Sequence, residues 1–178
     1  MIEKKPSGDI RIHVDFEDFA KVFKVYEGFP FWESWTPDEV RNEYESYFIK
    51  SGTVFGYYID GKCVSILSMH PIVLGEHPVT YDTKKKVMYL SDVATLPEYR
   101  NRGIATELFK KFLQYTIVHD YDYVYMRTNF HKEESMSAGI ARKCGFHRVP
   151  DVKQWCEMKR VDGSTRKDLR CFYEKKIK

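Results

Sequence analysis

Hydrophobic and polar residues alternate along the chain in short runs typical of strands, separated by stretches with helical spacing. Residues 10–14 predict a first strand, and Asp15 stands where it can cap a helix whose apolar residues recur every three or four positions. Thr36, Pro37 and Glu39 mark a second helix start, with a capping residue, a proline at the first helical position and a glutamate three residues after the cap. The first third of the chain therefore predicts one strand followed by two helices.

The remaining two thirds of the chain predict further strands and two more helices. Residues 53–59 and 62–73 predict a β-hairpin around a tight Asp60-Gly61 turn. The later predicted elements are strands at 87–96, 123–127, 155–160 and 169–177 and helices at 102–118 and 134–144, the last of them ended by Gly145. No internal repeat or linker interrupts this order, so we expect one mixed α/β domain over residues 1–178.

Composition narrows the classes of function. The 178 residues are 43% hydrophobic and 16% aromatic, enough for a sizeable core, and the net charge of +3 is too small to indicate a nucleic-acid partner. The four cysteines form no C-x-x-C pair and no histidine lies at zinc-finger spacing, so we expect reduced thiols and no metal site. The sequence has neither a signal-peptide segment nor an apolar run of ~20 residues, which predicts a cytoplasmic protein without membrane contact.

The most informative segment, residues 90–108, runs from a predicted strand through a proline-containing loop into a helix. Gly103 and Ala105 fall in the first helical turn, where unpaired N–H groups and the positive end of the helix dipole favour phosphate. Small residues let the backbone approach a diphosphate closely, and Arg100 and Arg102 can add charge-assisted contacts. The pattern indicates a nucleotide-type cofactor. The alternative, close helix–strand packing without a ligand, leaves the two arginines unexplained.

The same segment carries a resemblance to a known family. Residues 100–105 read RNRGIA and resemble the [QR]-x-x-G-x-[GA] motif of the GNAT N-acetyltransferase superfamily, in the same setting of strand, loop and helix. A second block, residues 137–146, is similar to the family's last helix, and the likeness extends over about residues 10–176. It implies an α/β fold with one mixed, mostly antiparallel sheet of six to seven strands, flanked by about four helices and splayed between strands 4 and 5.

The resemblance also implies a reaction and a co-substrate. An N-acetyltransferase of this family takes acetyl-CoA and passes the acetyl group to a primary amine, here by direct attack in a ternary complex. The family binds the co-substrate in the gap of the splayed sheet, so backbone groups of Val93, Ala94 and Thr95 would hold the pantetheine and polarise the thioester carbonyl. The other implied cofactor contacts are Arg100, Asn101, Arg102, Gly103, Ile104, Ala105, Thr106 and Asn129.

Candidate catalytic residues follow from the proton chemistry. An alkylammonium with a pKa of ~10 must lose a proton before it attacks, and Asp92 is an acid inside an otherwise apolar strand, so it is the candidate base. The structural alternative is that Asp92 only pairs with a neighbour on the sheet face. Ala141 stands where many family members have a tyrosine that can protonate the thiolate. The general acid therefore stays open between Tyr125, Tyr173 and none, since a thiol with a pKa near ~8.5 is already a fair leaving group.

Candidate acceptor contacts lie in the loop after the first helix and on the closing hairpin. They are Phe29, Phe31, Trp32, Glu33 and Trp155. Aromatic faces beside a carboxylate suit a cationic amine, while ordinary packing of the rings on the sheet is the alternative. We favour a small cationic amine as acceptor. A protein N-terminus or lysine, a non-catalytic CoA-binding module and a sensor that binds no CoA stay open, and so does a homodimer.

Overall fold

Seven strands form one mixed sheet in the computed structural model of the chain, which describes residues 7–28, 35–129, 136–159 and 162–178. The strands are β1 (Asp9–Ile12), β2 (Thr53–Ile59), β3 (Lys62–Pro71), β4 (Val87–Thr95), β5 (Tyr123–Asn129), β6 (His147–Lys159) and β7 (Thr165–Lys176). Their order in the sheet is β1-β2-β3-β4-β5-β7-β6, and every neighbouring pair is antiparallel except the parallel pair of β4 and β5. The predicted fold class, a mixed and mostly antiparallel sheet, is confirmed.

Four α-helices accompany the sheet within the described ranges. They are α1 (Phe16–Phe23), α2 (Pro37–Glu43), α3 (Ile104–Val118) and α4 (Met136–Lys143), with short 3₁₀ or π segments at Lys24–Gly28, Tyr44–Ile49 and Pro97–Tyr99. The Asp15 side chain accepts from the Asp18 N–H at 2.9 Å, and Thr36 and Glu39 cap each other reciprocally. Local polar chemistry therefore fixes both early helix starts where the sequence predicts them. None of these helices is long and apolar enough to cross a bilayer.

The core is assembled on the central strands. Helices α1 and α3 both pack against β3, and Phe19, Phe55, Leu67 and Phe112 are fully buried in the resulting cluster. A second, smaller cluster lies where the connection between β3 and β4 covers the first residues of β4 and β5 and the second half of β7. Its buried members are Val79, Val87, Tyr89, Tyr125 and Phe172. Alternate residues of β4 belong to the two clusters, so both faces of β4 are packed where it pairs with β5.

β4 and β5 separate partway along their length. Their parallel ladder ends at the pair Leu90 and Met126, whereas β4 continues beside β3 as far as Thr95 and β5 continues beside β7 as far as Asn129. The register between β3 and β4 shifts at Ser91, which stands as one extra residue on β4. A bulge of this kind bends its strand, so β4 turns away from β5 and a gap opens in the middle of the sheet. The expected splay is confirmed.

Element boundaries differ from the sequence prediction most clearly in the closing hairpin and at the start of α3. The closing hairpin is longer than predicted, because β6 begins at His147 and crosses a register shift between Arg148 and Lys153 that hides the alternation of apolar residues. Helix α3 begins at Ile104 and not at residue 102, because Gly103 has a φ of 78° and cannot join a right-handed helix. Residues 134 and 135 of the last predicted helix lie outside the described residues.

Candidate functional site

The loop between β4 and α3 presents an open helix N-terminus. Gly103 caps α3 in the left-handed conformation, and Asn101 is also left-handed, with a φ of 61°. A Cβ atom built on Gly103 would meet no atom within 4 Å apart from its chain neighbours, so no other protein group crowds this position before the helix. Since the first-turn N–H groups of an α-helix have no partner within the helix, this end offers donors and a positive dipole to an anion.

Some side chains of this loop anchor it to the protein, and others are exposed to solvent. Ile104 is 1% exposed and anchors the start of α3 in the core, whereas Ala105 and Thr106 are half-buried beside it. The Arg100 Nε donates to the Thr95 carbonyl at 3.1 Å, which ties the loop back to the end of β4. Arg102 is exposed, and its guanidinium carbon lies 5.6 Å from the centre of the Tyr99 ring. Of the two arginines, Arg102 presents its charge directly to solvent at the helix end.

Alternation along β4 decides which backbone groups face the gap. The Leu96 N–H donates to the Val64 carbonyl of β3, so the groups of Ala94 also face β3, while those of Val93 and Thr95 face the opposite edge. The Ala94 carbonyl is bonded on the β3 side, by the Ser65 hydroxyl. Among the three residues predicted to hold the pantetheine, the structure therefore directs Val93 and Thr95 toward the gap, and Ala94 away from it.

The gap edge of β4 is paired with side chains in place of a strand. The Tyr26 hydroxyl accepts from the Val93 N–H at 3.1 Å and donates to the Val93 carbonyl at 2.8 Å. The Thr95 carbonyl has Arg100 as its partner. The sequence carries no local signal for this role of the Tyr26 hydroxyl, because Val93 lies 67 residues further along the chain.

Asp92 lies beside this edge and is 7% exposed. Its Oδ2 accepts from the Ser68 hydroxyl at 2.8 Å, and the same hydroxyl oxygen accepts from the Asp92 N–H at 3.1 Å. Burial raises the pKa of the Asp92 carboxyl, while hydrogen bonds from Ser68 and Ser91 and the positive charge of Arg127 oppose that rise. Asp92 thus does pair on the sheet face, and it is also a carboxyl of raised basicity next to the gap.

Polar neighbours of Asp92 come from β3 and were missed in the sequence. His70 stands two residues from Ser68 on β3, so both side chains share a face. The His70 ring centre lies 4.7 Å from that of Tyr47 and 5.4 Å from that of Tyr89, and burial lowers the pKa of its imidazole. The alternation of Ser68 and His70 in an otherwise apolar strand was the signal that could have found them.

The structure groups Tyr125 with residues other than Asp92. Tyr125 is 4% exposed in the second core cluster, and burial together with a hydrogen bond to Glu174 raises the pKa of its phenol. Tyr173 is 2% exposed, and the Arg142 Nη1 donates to its hydroxyl at 3.4 Å. Asn129 ends β5 opposite Arg170 in the ladder with β7. Both tyrosines belong to the β5–β7 side of the sheet and not to the Ser68–Asp92 pair.

Two surface depressions lie on the side predicted to receive the acceptor. One, of about 330 Å³, is bordered by Trp35, Glu39, Asn42, Glu43, Ser46, Tyr47 and Lys159. Through Tyr47 it adjoins His70 and the sheet face that holds Asp92. The other, of about 450 Å³, is bordered by Trp155, Glu157 and Lys167, and Trp155 is 64% exposed. The candidates Phe29, Phe31, Trp32 and Glu33 lie outside the described residues.

Comparison with known proteins identifies the family. Solved structures with the same fold include an N-acetyltransferase from Staphylococcus aureus Mu50 (14% identity, TM-score 0.72, covering 97% of this chain and 99% of that one). They also include Arabidopsis thaliana NAA60 in complex with acetyl-CoA (13%, 0.71, 96% and 99%) and a ribosomal-protein-alanine N-acetyltransferase from Brucella melitensis (16%, 0.70, 94% and 99%). No curated protein matches the sequence. Residues 17–146, most of the chain, match the family model itself, and this protein therefore belongs to the acetyltransferase (GNAT) family.

Proposed function

We propose that this protein is an acetyl-CoA-dependent N-acetyltransferase that passes the acetyl group to a primary amine by direct attack in a ternary complex. The observation that carries the proposal is that β4 has lost β5 as a neighbour at Val93 and then leads through a short loop to the N-terminus of α3 at Gly103. A thioester with a diphosphate needs a backbone donor for its carbonyl and an anion site for its phosphates. The same fold in NAA60 was solved with acetyl-CoA, which supports this choice of acyl donor.

Different residues of β4 and of the loop before α3 would contact different parts of the co-substrate. The N–H groups of residues 101–106 and the Arg102 guanidinium would meet the diphosphate, while Val93 and Thr95 would meet the pantetheine and the thioester. Arg100 already holds the Thr95 carbonyl at 3.1 Å, so its contribution includes fixing the end of the strand. Asn129, at the end of β5, would add a contact from the other side of the gap.

Asp92 would take the proton that the amine must lose. The Asp92 carboxylate takes one proton from the alkylammonium, and the neutral amine nitrogen then attacks the thioester carbonyl carbon. The C–S bond breaks, and the second proton on nitrogen passes to the CoA thiolate, which leaves as the thiol. Burial raises the pKa of Asp92 and so strengthens it as a base, and the Ser68 hydroxyl at 2.8 Å fixes its orientation. Tyr125 would be the acid toward the thiolate only if substrate binding brought it closer, because its hydrogen bond is to Glu174.

A small cationic amine is the acceptor that we favour. The 330 Å³ cleft carries the aromatic rings of Trp35 and Tyr47 and the carboxylates of Glu39 and Glu43, a combination that binds alkylammonium groups by cation–π contact and ion pairing. A protein N-terminal amine is the second candidate, because this cleft and the depression at Trp155 lie at the surface, where an extended peptide has access. Two of the structures with this fold are named for protein acceptors.

The test is thiol release from acetyl-CoA in the presence of an acceptor panel. The panel contains a polyamine, an aminoglycoside, free amino acids, a peptide with an N-terminal alanine and a peptide with an internal lysine. We expect stabilisation of the protein by acetyl-CoA and thiol release with at least one cationic amine. Stabilisation without thiol release for any acceptor would indicate a CoA-binding module, and no stabilisation would exclude acetyl-CoA as the ligand.

A further inference from the structure

Tyr26 stands on the strand edge that borders the gap. It belongs to the 3₁₀ segment Lys24–Gly28 that follows α1, it is 9% exposed, and its ring packs edge-on against Phe23 with centres 5.1 Å apart. Its hydroxyl bonds both the N–H and the carbonyl of Val93. This is the position at which β4 has lost β5 as a neighbour, since their ladder ends at Leu90.

The pair of hydrogen bonds between the Tyr26 hydroxyl and the Val93 backbone has a clear physical reason. A buried backbone N–H and carbonyl must find partners, and beyond the bulge no strand among the described residues supplies them on this side of β4. A phenol carries one donor and can accept as well, so a single hydroxyl satisfies both groups. Burial and the nearby charge of Asp92 raise the pKa of Tyr26, which keeps the hydroxyl protonated and able to donate.

We propose that the Tyr26 hydroxyl occupies the position of the thioester carbonyl oxygen, and that acetyl-CoA binds by displacing it from the Val93 N–H. The inference rests on the proposed function, because it takes Val93 as the donor that polarises the thioester. One N–H group has one strong hydrogen bond to give, so the carbonyl and the phenol compete for it. Free CoA has no thioester carbonyl and leaves the hydrogen bonds between Tyr26 and Val93 intact.

The competition has a consequence for the catalytic cycle. Once the acetyl group has moved to the amine, the Val93 N–H loses its acyl partner and Tyr26 can return to it. The renewed hydrogen bond then favours the state in which CoA is bound without the acyl contact. With Tyr26 present, the protein therefore prefers acetyl-CoA over CoA less strongly than it would if the Val93 N–H had no competing partner. The residue lowers the affinity for substrate and keeps the strand edge paired whenever the acyl site is empty.

Tyr26→Phe removes the competitor and keeps the ring in its packing against Phe23. We expect the affinity for acetyl-CoA to rise by about 3- to 10-fold, the range that one net hydrogen bond spans, and the affinity for free CoA to change less than about twofold. Tyr44→Phe is the matched control. Tyr44 is 7% exposed and donates a 2.6 Å hydrogen bond to the Val14 carbonyl, away from β4, so its loss should leave the ratio of the two affinities unchanged.

Calorimetric titration of both ligands against the wild type and the two variants decides the question. An equal gain for both ligands, no gain, or a loss in Tyr26→Phe overturns the role of Tyr26 while the wild type's binding of acetyl-CoA upholds the proposed function. A wild type that binds no acetyl-CoA ends both. If Tyr26→Phe does not fold, NMR of wild-type protein with labelled tyrosine decides: the Tyr26 Cζ resonance must shift with acetyl-CoA and stay in place with CoA, and the opposite result overturns the proposal.

Discussion

The outer and inner ends of the gap differ in what already occupies them. At the outer end, no other protein group crowds the α3 terminus, since a Cβ on Gly103 would meet no atom within 4 Å apart from its chain neighbours. At the inner end, Val93 is bonded to Tyr26, and Asp92 is bonded to Ser68. A ligand at the outer end therefore meets no protein group at the Gly103 position, whereas at the inner end it must exchange one hydrogen-bond partner for another.

This difference separates the expected consequences of substitution. The outer end offers backbone groups and exposed charge, so changes there should act on the affinity for acetyl-CoA and leave the chemistry alone. The inner end holds the buried carboxyl of Asp92, whose pKa is raised by burial, so a change at Asp92 should act on turnover and on the pH dependence of stability, whereas Tyr26→Phe should act on the affinity for acetyl-CoA. Substitutions at Gly103 and Asp92 therefore test whether cofactor affinity and turnover can be changed independently.

The largest effect is expected at the outer end. Gly103→Glu should reduce acetyl-CoA affinity by ~100-fold or more, because a carboxylate would stand where the diphosphate binds and like charges brought together cost several kcal/mol. Isothermal titration of the folded variant measures it. Gly75→Glu is the control, since Gly75 also has a positive φ, 84°, and open space around its Cβ position, but lies in the connection between β3 and β4. Wild-type affinity in Gly103→Glu would refute the phosphate site.

Asp92→Asn should change the chemistry at the inner end without changing acetyl-CoA binding at the outer end. We expect turnover to fall by ~10²-fold, the usual scale for a positioned base, with unchanged acetyl-CoA affinity. The loss should shrink at high pH, where more of the amine is already neutral. Asp122→Asn is the control, because Asp122 accepts from the Lys86 N–H at 2.8 Å at the far end of β4, so it should lose stability and keep its turnover. Equal turnover in wild type and Asp92→Asn would leave Asp92 with a structural role only.

The same variant should also change the stability of the protein. Because the pKa of Asp92 is raised in the folded state, the folded protein holds this proton more tightly than the unfolded chain does. The stability associated with the protonated form is present at low pH and is lost as the pH rises through the raised pKa. Asp92→Asn should therefore be more stable than the wild type near neutral pH, and denaturant titrations at two pH values would reveal an advantage that disappears in acid.

The same contrast explains what could be predicted from the sequence. The phosphate loop is contiguous, so the spacing of Arg100, Gly103 and Ala105 alone predicts it. The inner end joins groups that are 24 residues apart in the Ser68–Asp92 pair and 67 apart in the Tyr26–Val93 pair, and only strand pairing brings them together. Asp92 could still be predicted, because an acid in an apolar strand is unusual.

Local sequence signals were sufficient to predict helix caps and turns, but they were insufficient to predict how the strands pair. The Thr36 capping box and the Asp60-Gly61 turn follow from chemistry within four residues, and the structure confirms both. The extra residue at Ser91 depends on how β3 and β4 align, which no short window of sequence encodes. The resemblance to the family, and not periodicity, is what predicted the splay.

A pH dependence of stability should arise beside the inner end and not at the outer one. The His77 ring centre lies 4.2 Å from that of Tyr89, with the two rings tilted by 31°, and burial lowers the pKa of His77 to about 4. The unfolded chain takes up this proton near pH ~6.5, so stability should fall as the pH drops from there toward 4, by about 1–3 kcal/mol. His77→Phe should flatten that decline in denaturant titrations.

The control for His77 is an exposed histidine that also packs against a tyrosine ring. His119→Phe replaces a side chain stacked 3.7 Å from Tyr115 at the end of α3, and it should keep the wild-type pH dependence. Gly103→Glu should keep it as well, since the outer end holds no buried histidine. A decline of the same size in His77→Phe and in wild type would assign the pH dependence to other groups.

The smallest effect is expected at the surface, at Trp155. If its ring contacts a cationic acceptor, Trp155→Ala should raise the acceptor's Michaelis constant by about 2- to 5-fold, the equivalent of ~0.5–1 kcal/mol for an exposed cation–π contact. Because Trp155 is 64% exposed, stability should change by no more than ~0.5 kcal/mol. Leu74→Ala, at a residue 72% exposed, is the control for loss of surface apolar area. Both Michaelis constants and the melting temperature from one preparation give the answer: an unchanged acceptor constant would remove Trp155 from the acceptor site, and a large fall in melting temperature would show that the ring packs against the hairpin instead.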